Sequence, residues 1–157
     1  MKNAFNSLLD HPEFREGQLW GRKRFPAGET LFEQGDEGQE IYIVLSGTVR
    51  VVGDVVLDEG QRIHPGVCDL EEGAIFGEMP LFDQQPRSAS VVAITDCELA
   101  VIDDRALLDF FESHPATGYA AMCELWSIQV GRLRRTNKKL FSLFAWGLKI
   151  HQISPHL

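Results

Sequence analysis

Residues 75–91 bring together groups that could bind a phosphorylated sugar. Gly77 opens a short helical turn, whose first N–H groups lack an intrahelical acceptor and can receive an anion. Arg87 supplies a planar guanidinium that matches two oxygens of a phosphate, and Glu78 supplies a carboxylate that can accept hydrogen bonds from sugar hydroxyls. Together these groups predict a binding site for a ribose phosphate.

Catalytic and metal-binding chemistry has little support in the sequence. The five histidines lie far apart, and only His64 falls in the region that we predict to be β. A metal-dependent jelly-roll enzyme would need several imidazoles on neighbouring strands, so His64 and Cys68 are better explained as residues of a surface loop. The sequence has no GxSxG, GxxxxGK[ST] or GxGxxG motif. We therefore expect a binding protein that is not an enzyme and holds no metal.

The elements that must position this site are predicted to be short strands between residues 20 and 102. Apolar runs and alternating segments are separated by turns that contain glycine or proline. The predicted strands are residues 30–34, 41–45, 48–52, 61–67, 88–94 and 98–102. Many short strands at this spacing predict a mainly β protein with flanking helices, whose strands form a β jelly roll, or double-stranded β-helix.

Helices are predicted on both sides of the jelly roll. Residues 1–19 can form a short N-terminal helix with Asn6 or Ser7 as its cap. After residue 103 the apolar period becomes helical, and Asp103 or Asp104 can cap a helix that ends before a His-Pro pair. We interpret the chain as one domain that comprises an N-terminal helical segment (1–19), a jelly roll (20–103) and C-terminal helices (104–157).

A long C-terminal helix is predicted from Pro115 to about Leu143. Eight of its positions, spaced alternately by three and four residues, form a seam: Tyr119, Met122, Trp126, Gln129, Leu133, Thr136, Leu140 and Leu143. Six of the eight are apolar, so we predict a homodimer through residues 119–143. The basic residues between 132 and 139 are interpreted as a solvated face. The apolar tail from Phe141 to Ile150 is interpreted as packed against its own domain or a partner chain, with a docking surface as the alternative.

Composition limits the class of protein. The 157 residues carry a net charge of −8, with 15 basic and 23 acidic side chains. An acidic protein is not expected to bind nucleic acid or an anionic membrane, both of which attract basic surfaces. No apolar run is long enough to span a membrane, and the three cysteines include no CxxC pair. We expect a cytoplasmic protein with reduced thiols.

The segment described first resembles the phosphate-binding cassette of the cyclic nucleotide-binding domain family, of catabolite activator and protein kinase A regulatory-subunit type. It reads Phe76-Gly77-Glu78-Met79-Pro80-Leu81, followed by Arg87-Ser88-Ala89-Ser90-Val91, against a family pattern of F-G-E-x-x-L and R-[ST]-A-[ST]-V. The resemblance extends over roughly residues 20–140. One departure is Ala74, which stands where relatives often have an aspartate.

The resemblance implies a ligand-binding role for specific residues. Arg87 would bind the cyclic phosphate with the Ser88 hydroxyl, Glu78 and the Gly77 backbone would bind the ribose 2′-hydroxyl, and Ala89 would keep the pocket floor open. Thr136 and Asn137 would approach the purine from the long helix of the same chain or of a partner. The full implied set is Phe76, Gly77, Glu78, Met79, Arg87, Ser88, Ala89, Thr136 and Asn137.

The resemblance also implies a function, which is to sense a cyclic nucleotide and signal through the C-terminal helix to an effector that the sequence does not identify. The implied ligand is cAMP, with cGMP as a second candidate, and no cofactor is expected. DNA-binding relatives continue into a helix-turn-helix domain, whereas this sequence ends at Leu157, so direct DNA binding is not expected. Two alternatives stay open: a degenerate interaction module without a nucleotide, and a pocket for another phosphorylated metabolite or a cyclic dinucleotide.

Several of these residues also have simpler explanations. Arg87 could pair with a surface carboxylate. Glu78 could be an acid that favours the start of a helix because of the helix dipole. Gln129 and Thr136 could set the register of a helix pair rather than contact a ligand.

Overall fold

Ten strands and four helices follow one another along the described residues, 4–56 and 60–150, of the computed structural model. The strands are β1 Trp20–Phe25, β2 Thr30–Phe32, β3 Glu40–Ser46, β4 Val49–Val52, β5 Val55–Val56, β6 Arg62–Ile63, β7 Gly66–Leu70, β8 Ile75–Phe76, β9 Ser90–Ala93 and β10 Cys97–Asp103. The helices are α1 Ala4–Leu9, α2 Pro80–Asp83, α3 Asp104–Ser113 and α4 Pro115–Ile150.

Eight of the strands form two four-stranded antiparallel sheets, with the orders β1-β10-β3-β8 and β2-β9-β4-β7. The strands β5 and β6 pair as a separate hairpin. Strand order therefore alternates between distant parts of the chain, which is typical of a jelly roll. The predicted fold class, mainly β with flanking helices, is confirmed.

The main core of the roll consists of buried side chains from both sheets: Phe25, Tyr42, Val44, Val49, Leu70, Phe76, Val91, Ala93, Cys97 and Leu99. Strand β3 is covered on both faces, since residues 41–44 are all buried. This explains why its sequence is a continuous apolar run rather than an alternating one.

Two strand predictions differ from the structure at identifiable residues. The predicted strand 61–67 is divided into β6 and β7 because Pro65 has no N–H to donate to a ladder. The predicted strand 30–34 ends at Phe32, because the N–H of Gln34 donates to Ser90 Oγ rather than to a backbone carbonyl.

The short helices next to the roll confirm one predicted cap and contradict the other. Asp103 caps α3, since its carboxylate accepts from the N–H of Ala106 at 3.0 Å. The predicted caps Asn6 and Ser7 are wrong, because α1 begins at Ala4 and both residues lie inside it. The reason is the burial of Phe5, which extends the helix by part of a turn towards the N-terminus.

The chain comprises two units, Met1–Gly118 and Tyr119–Leu157. The first strand, β1, begins at Trp20, and the last strand, β10, ends at Asp103. That the chain acts as a single domain stays a prediction. Within residues 4–56 and 60–150, none of the helices is both long enough and apolar enough to cross a membrane.

Helix α4 is longer than predicted, since it ends at Ile150 rather than near Leu143. A glycine can terminate a helix when it adopts a positive φ at the C-terminal cap. Gly147 does not do so, since it lies within α4. Large apolar side chains of the seam are exposed, among them Trp126 and Leu133. The apolar tail is exposed as well, including Phe141 and Trp146, so its predicted packing is not found within the described chain.

Candidate functional site

Arg87 lies in the interior of the first unit, where only 4% of its surface is exposed. Its Nη1 donates to the carbonyl of Gly77 at 2.9 Å, and its Nη2 donates to the carbonyl of Glu40 at 2.9 Å. The guanidinium therefore joins the turn after β8 to the start of β3. Such a buried side chain does not fit the explanation that Arg87 is one half of a surface ion pair.

The guanidinium of Arg87 also packs against two aromatic rings. Its central carbon lies 4.3 Å from the ring centroid of Phe32 and 5.7 Å from that of Tyr42. The Tyr42 ring is stacked in turn on Phe76, with centroids 5.1 Å apart. Because a cation is attracted to the face of an aromatic ring, these contacts help to hold the guanidinium in place. Strands β2, β3 and β8 thus supply the platform for Arg87.

Tyr42 also connects the platform to a carboxylate. Its hydroxyl donates to Glu40 Oε2 at 2.7 Å. Burial raises the pKa of Tyr42 well above its ordinary value, and the hydrogen bond to Glu40 raises it further, while the positive charge of Arg87 acts in the opposite direction. The phenol therefore stays neutral at physiological pH.

One donor of the buried guanidinium has no acceptor. Nε of Arg87 is inaccessible to solvent and has no hydrogen-bond partner among the residues that the structure describes. A buried N–H without an acceptor costs free energy, which an anionic oxygen placed against it would recover. Arg87 is thus held by two carbonyls and two rings, and its Nε–H is a donor that the described residues leave without an acceptor.

Because Gly38 and Gly77 have no side chain, there is room beside them for the guanidinium of Arg87. A Cβ on Gly38 would lie 2.5 Å from Nη2 of Arg87, and one on Gly77 would lie 2.9 Å from Nη1. Gly77 also has a φ of 75°, a left-handed conformation that favours glycine. The sequence therefore requires glycine at both positions for reasons of space, and at Gly77 for conformation as well.

The backbone of the cassette is fixed by the loop that precedes β3. The N–H of Arg87 donates to the carbonyl of Asp36 at 2.8 Å, and the N–H of Gly35 donates to the carbonyl of Arg87 at 2.8 Å. Ser88 Oγ donates to Met79 Sδ at 3.2 Å, so the two ends of the cassette touch. Glu78 is 2% exposed and precedes α2, which places its carboxylate in the interior rather than on a solvated first turn.

Seven of the residues that the resemblance implies lie in the first unit, namely Phe76, Gly77, Glu78, Met79, Arg87, Ser88 and Ala89. The structure joins Arg87 to Gly77 and Ser88 to Met79 by hydrogen bonds. Thr136 and Asn137 are exposed side chains of α4 in the second unit, and their part in the site stays a prediction. Within the described ranges, no group of three His, Cys, Asp or Glu side chains could hold a metal ion.

Sequence reasoning missed the residues that support Arg87. Phe32 and Tyr42 fall in predicted strands and Gly38 in a predicted turn, and Glu40 falls in no predicted element. Nothing in their spacing indicates a guanidinium, because they reach it from β2, β3 and the loop between them. These contacts become visible only once the fold places β2 and β3 next to Arg87.

Comparisons with known proteins agree with this geometry. Residues 22–114 match the family model of the cyclic nucleotide-binding domain. A curated relative, the CRP-like cAMP-activated global transcriptional regulator of Mycobacterium tuberculosis, is 31% identical over 123 residues, which cover 76% of this chain and 50% of the relative. The chain thus spans about half the length of that relative.

Two solved structures are similar in fold. A cyclic nucleotide-binding domain from Methylobacillus flagellatus has a TM-score of 0.71 and 27% identity, with 79% of this chain and 67% of that one covered. The c-di-GMP responsive global regulator of Xanthomonas campestris has a TM-score of 0.68 and 25% identity, with 87% and 68% covered. Since the family match at residues 22–114 includes the whole cassette around Arg87, this chain belongs to the cyclic nucleotide-binding domain family.

Proposed function

We propose that this chain is a sensor that binds cAMP and passes the binding event to an effector through helix α4. One observation carries the proposal: the buried guanidinium of Arg87, held by two carbonyls and two rings, has an Nε without a hydrogen-bond partner in the described chain. A cyclic phosphate is a compact anion that would accept from this donor. The proposal is one of binding, without catalysis, cofactor or metal, in the cytoplasm.

The other cassette residues would complete the ligand site. The Ser88 hydroxyl would turn from Met79 to the cyclic phosphate, and the small Ala89 would let the phosphate approach the backbone. Glu78 would accept from the ribose 2′-hydroxyl, a role suited to a carboxylate that is 2% exposed and held in one place by its surroundings. Thr136 and Asn137 would supply hydrogen-bond acceptors for the purine.

Two considerations favour cAMP over other ligands. Thr136 and Asn137 offer acceptors for the adenine 6-amino group, and no acidic residue stands beside them in sequence to select guanine. The relative from Mycobacterium tuberculosis is named as cAMP-activated. The similar structure from Xanthomonas campestris is named as c-di-GMP responsive, which supports the alternative of a pocket for a cyclic dinucleotide.

Signalling would use the long helix. If the ligand has differential affinity for two arrangements of α4, binding shifts the population towards one of them. The apolar seam would join two chains in a homodimer, so that both helices respond together. An effector protein would then distinguish the two populations. DNA binding by residues 1–157 is not part of the proposal.

Thermal unfolding in the presence of a ligand panel tests the function. The panel contains cAMP, cGMP, c-di-GMP and ribose 5-phosphate at equal concentrations. A ligand that binds the native state stabilises it by about 2.7 kcal/mol at a hundred times its dissociation constant, so cAMP should raise the melting temperature most. Chromatography of the recovered nucleotide should show that it is unchanged.

Matched variants make the result specific. Arg87→Gln removes the buried charge and should abolish the shift, while Arg105→Gln removes an exposed charge from α3 and should leave it intact. No shift with any member of the panel would favour the degenerate interaction module. A larger shift with c-di-GMP or ribose 5-phosphate would favour the other pocket, and conversion of the nucleotide would contradict a purely binding role.

A further inference from the structure

The charge of the chain is unevenly distributed. Residues 1–124 hold all 23 acidic side chains and nine of the 15 basic ones, which gives this part a net charge of −14. Residues 125–157 hold six basic side chains and no acidic one, a net charge of +6. The overall value of −8, from which we expected no binding to anionic surfaces, therefore does not describe the C-terminal part of α4.

The basic residues of α4 share its outer surface with aromatic residues. Continuing the seam at its own spacing adds only Gly147 and Ile150. We define the basic–aromatic face as the off-seam residues Arg132, Arg134, Arg135, Lys138, Lys139, Phe141, Phe144, Trp146 and Lys149. Pairing of two helices through the seam would leave this face on the outside of each helix.

The aromatic members of the basic–aromatic face are exposed to solvent. The exposed fractions are 70% for Phe141, 66% for Phe144 and 64% for Trp146. Phe141 and Phe144 are three residues apart and are neighbours on one side of the helix, whereas Trp146 lies on another side. Two adjacent exposed rings indicate a surface that another molecule covers, because scattered single side chains are the usual case. Exposed rings and basic side chains on the same helix suit a binding partner that is both apolar and anionic.

We propose that the basic–aromatic face binds an anionic lipid surface. A helix that lies in the membrane interface typically has Lys and Arg on its polar side and Trp, Phe and Leu on the other. Lysine and arginine stems extend over apolar surface while their charges reach the headgroups, and tryptophan is enriched at headgroup level. Phe141 and Phe144 would enter the acyl boundary, with Lys138 and Lys139 at the phosphates.

Other occupants fit the basic–aromatic face less well. Protein interfaces are depleted in lysine, and this face holds three: Lys138, Lys139 and Lys149. The same face of a second copy carries the same positive charge, which opposes symmetric pairing. A nucleic acid duplex would match the charge but offers no apolar region for Phe141 and Phe144.

Vesicle flotation with the full chain tests the proposal. Vesicles of phosphatidylcholine alone are compared with vesicles that also contain phosphatidylserine. The chain should float with the second kind only, and added salt should weaken the binding. Lys138→Gln/Lys139→Gln should lower the partition coefficient roughly tenfold or more, since each cation near a charged leaflet contributes independently. Phe141→Ser/Phe144→Ser should lower it as well.

A control variant removes the same net charge from elsewhere. Lys23→Gln/Arg105→Gln changes two exposed basic residues of the first unit and should float like the parent chain. Circular dichroism of each variant checks that helix content is kept. The proposal is overturned if the parent chain does not bind phosphatidylserine vesicles, if the control loses as much binding as the Lys138/Lys139 variant, or if the chain binds polyglutamate or DNA in place of the vesicles.

Discussion

The interior of the roll and the C-terminal half of α4 depart from the usual distribution of side chains in opposite ways. In the roll, two charged residues are nearly inaccessible, Glu78 at 2% and Arg87 at 4% exposed. In the helix, aromatic side chains such as Trp126 and Phe144 are mostly exposed. Soluble proteins normally place such charges outside and such rings inside. Both departures are costly in free energy when they are not compensated, and in our proposals a bound molecule supplies part of that compensation in each region.

The two regions nevertheless indicate different kinds of molecule. Around Arg87 the protein has already ordered carbonyls and rings, so a small ligand would meet a prepared site and lose little free energy to reorganisation. On α4 the exposed groups extend over many turns and form no enclosed site, which suits a partner as large as a helix or a membrane surface. The roll therefore offers a prepared site for a small ligand, and α4 offers an extended surface for a larger partner.

Removal of the buried charge is expected to have the largest effect. Truncation of one side of a buried charge pair costs about 2–5 kcal/mol, so Arg87→Ala should weaken cyclic nucleotide binding on the order of 30-fold or more. Arg87→Lys should also lose affinity, because an ammonium does not reproduce the planar fork that contacts Gly77 and Glu40. Calorimetry measures both variants, with Arg105→Ala as the exposed control. Unchanged affinity in both would show that the buried charge serves the fold alone.

The exposed apolar side chains of α4 are tested by placing charged residues on the seam. Leu133 and Leu140 are 61% and 55% exposed, so Leu133→Glu/Leu140→Glu should fold normally. If two seams pair, four buried carboxylates would oppose association, and the variant should sediment as a monomer while the parent chain is a dimer. Ser127→Glu/Ser142→Glu introduces the same charge at exposed positions off the seam and should stay dimeric. A parent chain that is already monomeric would contradict the predicted homodimer.

The two regions also differ in how far the sequence predicts them. The roll and the core of the cassette could be predicted, because turn residues, apolar runs and the spacing of Gly77 and Arg87 are local signals. The support of Arg87 by Phe32 and Tyr42 could not, since it depends on which distant strands the fold brings together. The end of α4 was missed because the seam from which the helix was predicted has its last position at Leu143, whereas the helix continues to Ile150.

A smaller effect is expected where the two regions would share a ligand. We expect the parent chain to prefer cAMP over cGMP by about tenfold, since one hydrogen bond made or left unmade is worth roughly 1–3 kcal/mol. Thr136→Val should reduce this preference. Competition titration of parent and variant measures the preference, and Ser142→Ala on the same helix is the control. Equal or reversed affinities in the parent chain would refute cAMP selectivity. If Thr136→Val changes the sedimentation coefficient but not the nucleotide preference, Thr136 sets the register of a helix pair and does not contact the purine.

The smallest expected effect compares the two tyrosines, one from each region. Tyr42 is 4% exposed and its pKa is raised first by burial, whereas Tyr119 is 75% exposed and its pKa is raised first by a hydrogen bond with Cys123. Below the ordinary tyrosine pKa of about 10, both phenols are neutral in the folded and unfolded chain, so the contribution of Tyr42 is fully present. As the pH rises above that value, only the unfolded chain ionises at this position, and the free energy of unfolding falls until the raised pKa is reached.

Tyr42→Phe should therefore lower the free energy of unfolding by about 1 kcal/mol at neutral pH, because the hydrogen bond to Glu40 is lost. In urea titrations, the same variant should show a smaller loss of stability between neutral and alkaline pH. Tyr119→Phe should keep the decline, and equal slopes in the two variants would mean that burial of Tyr42 does not control it.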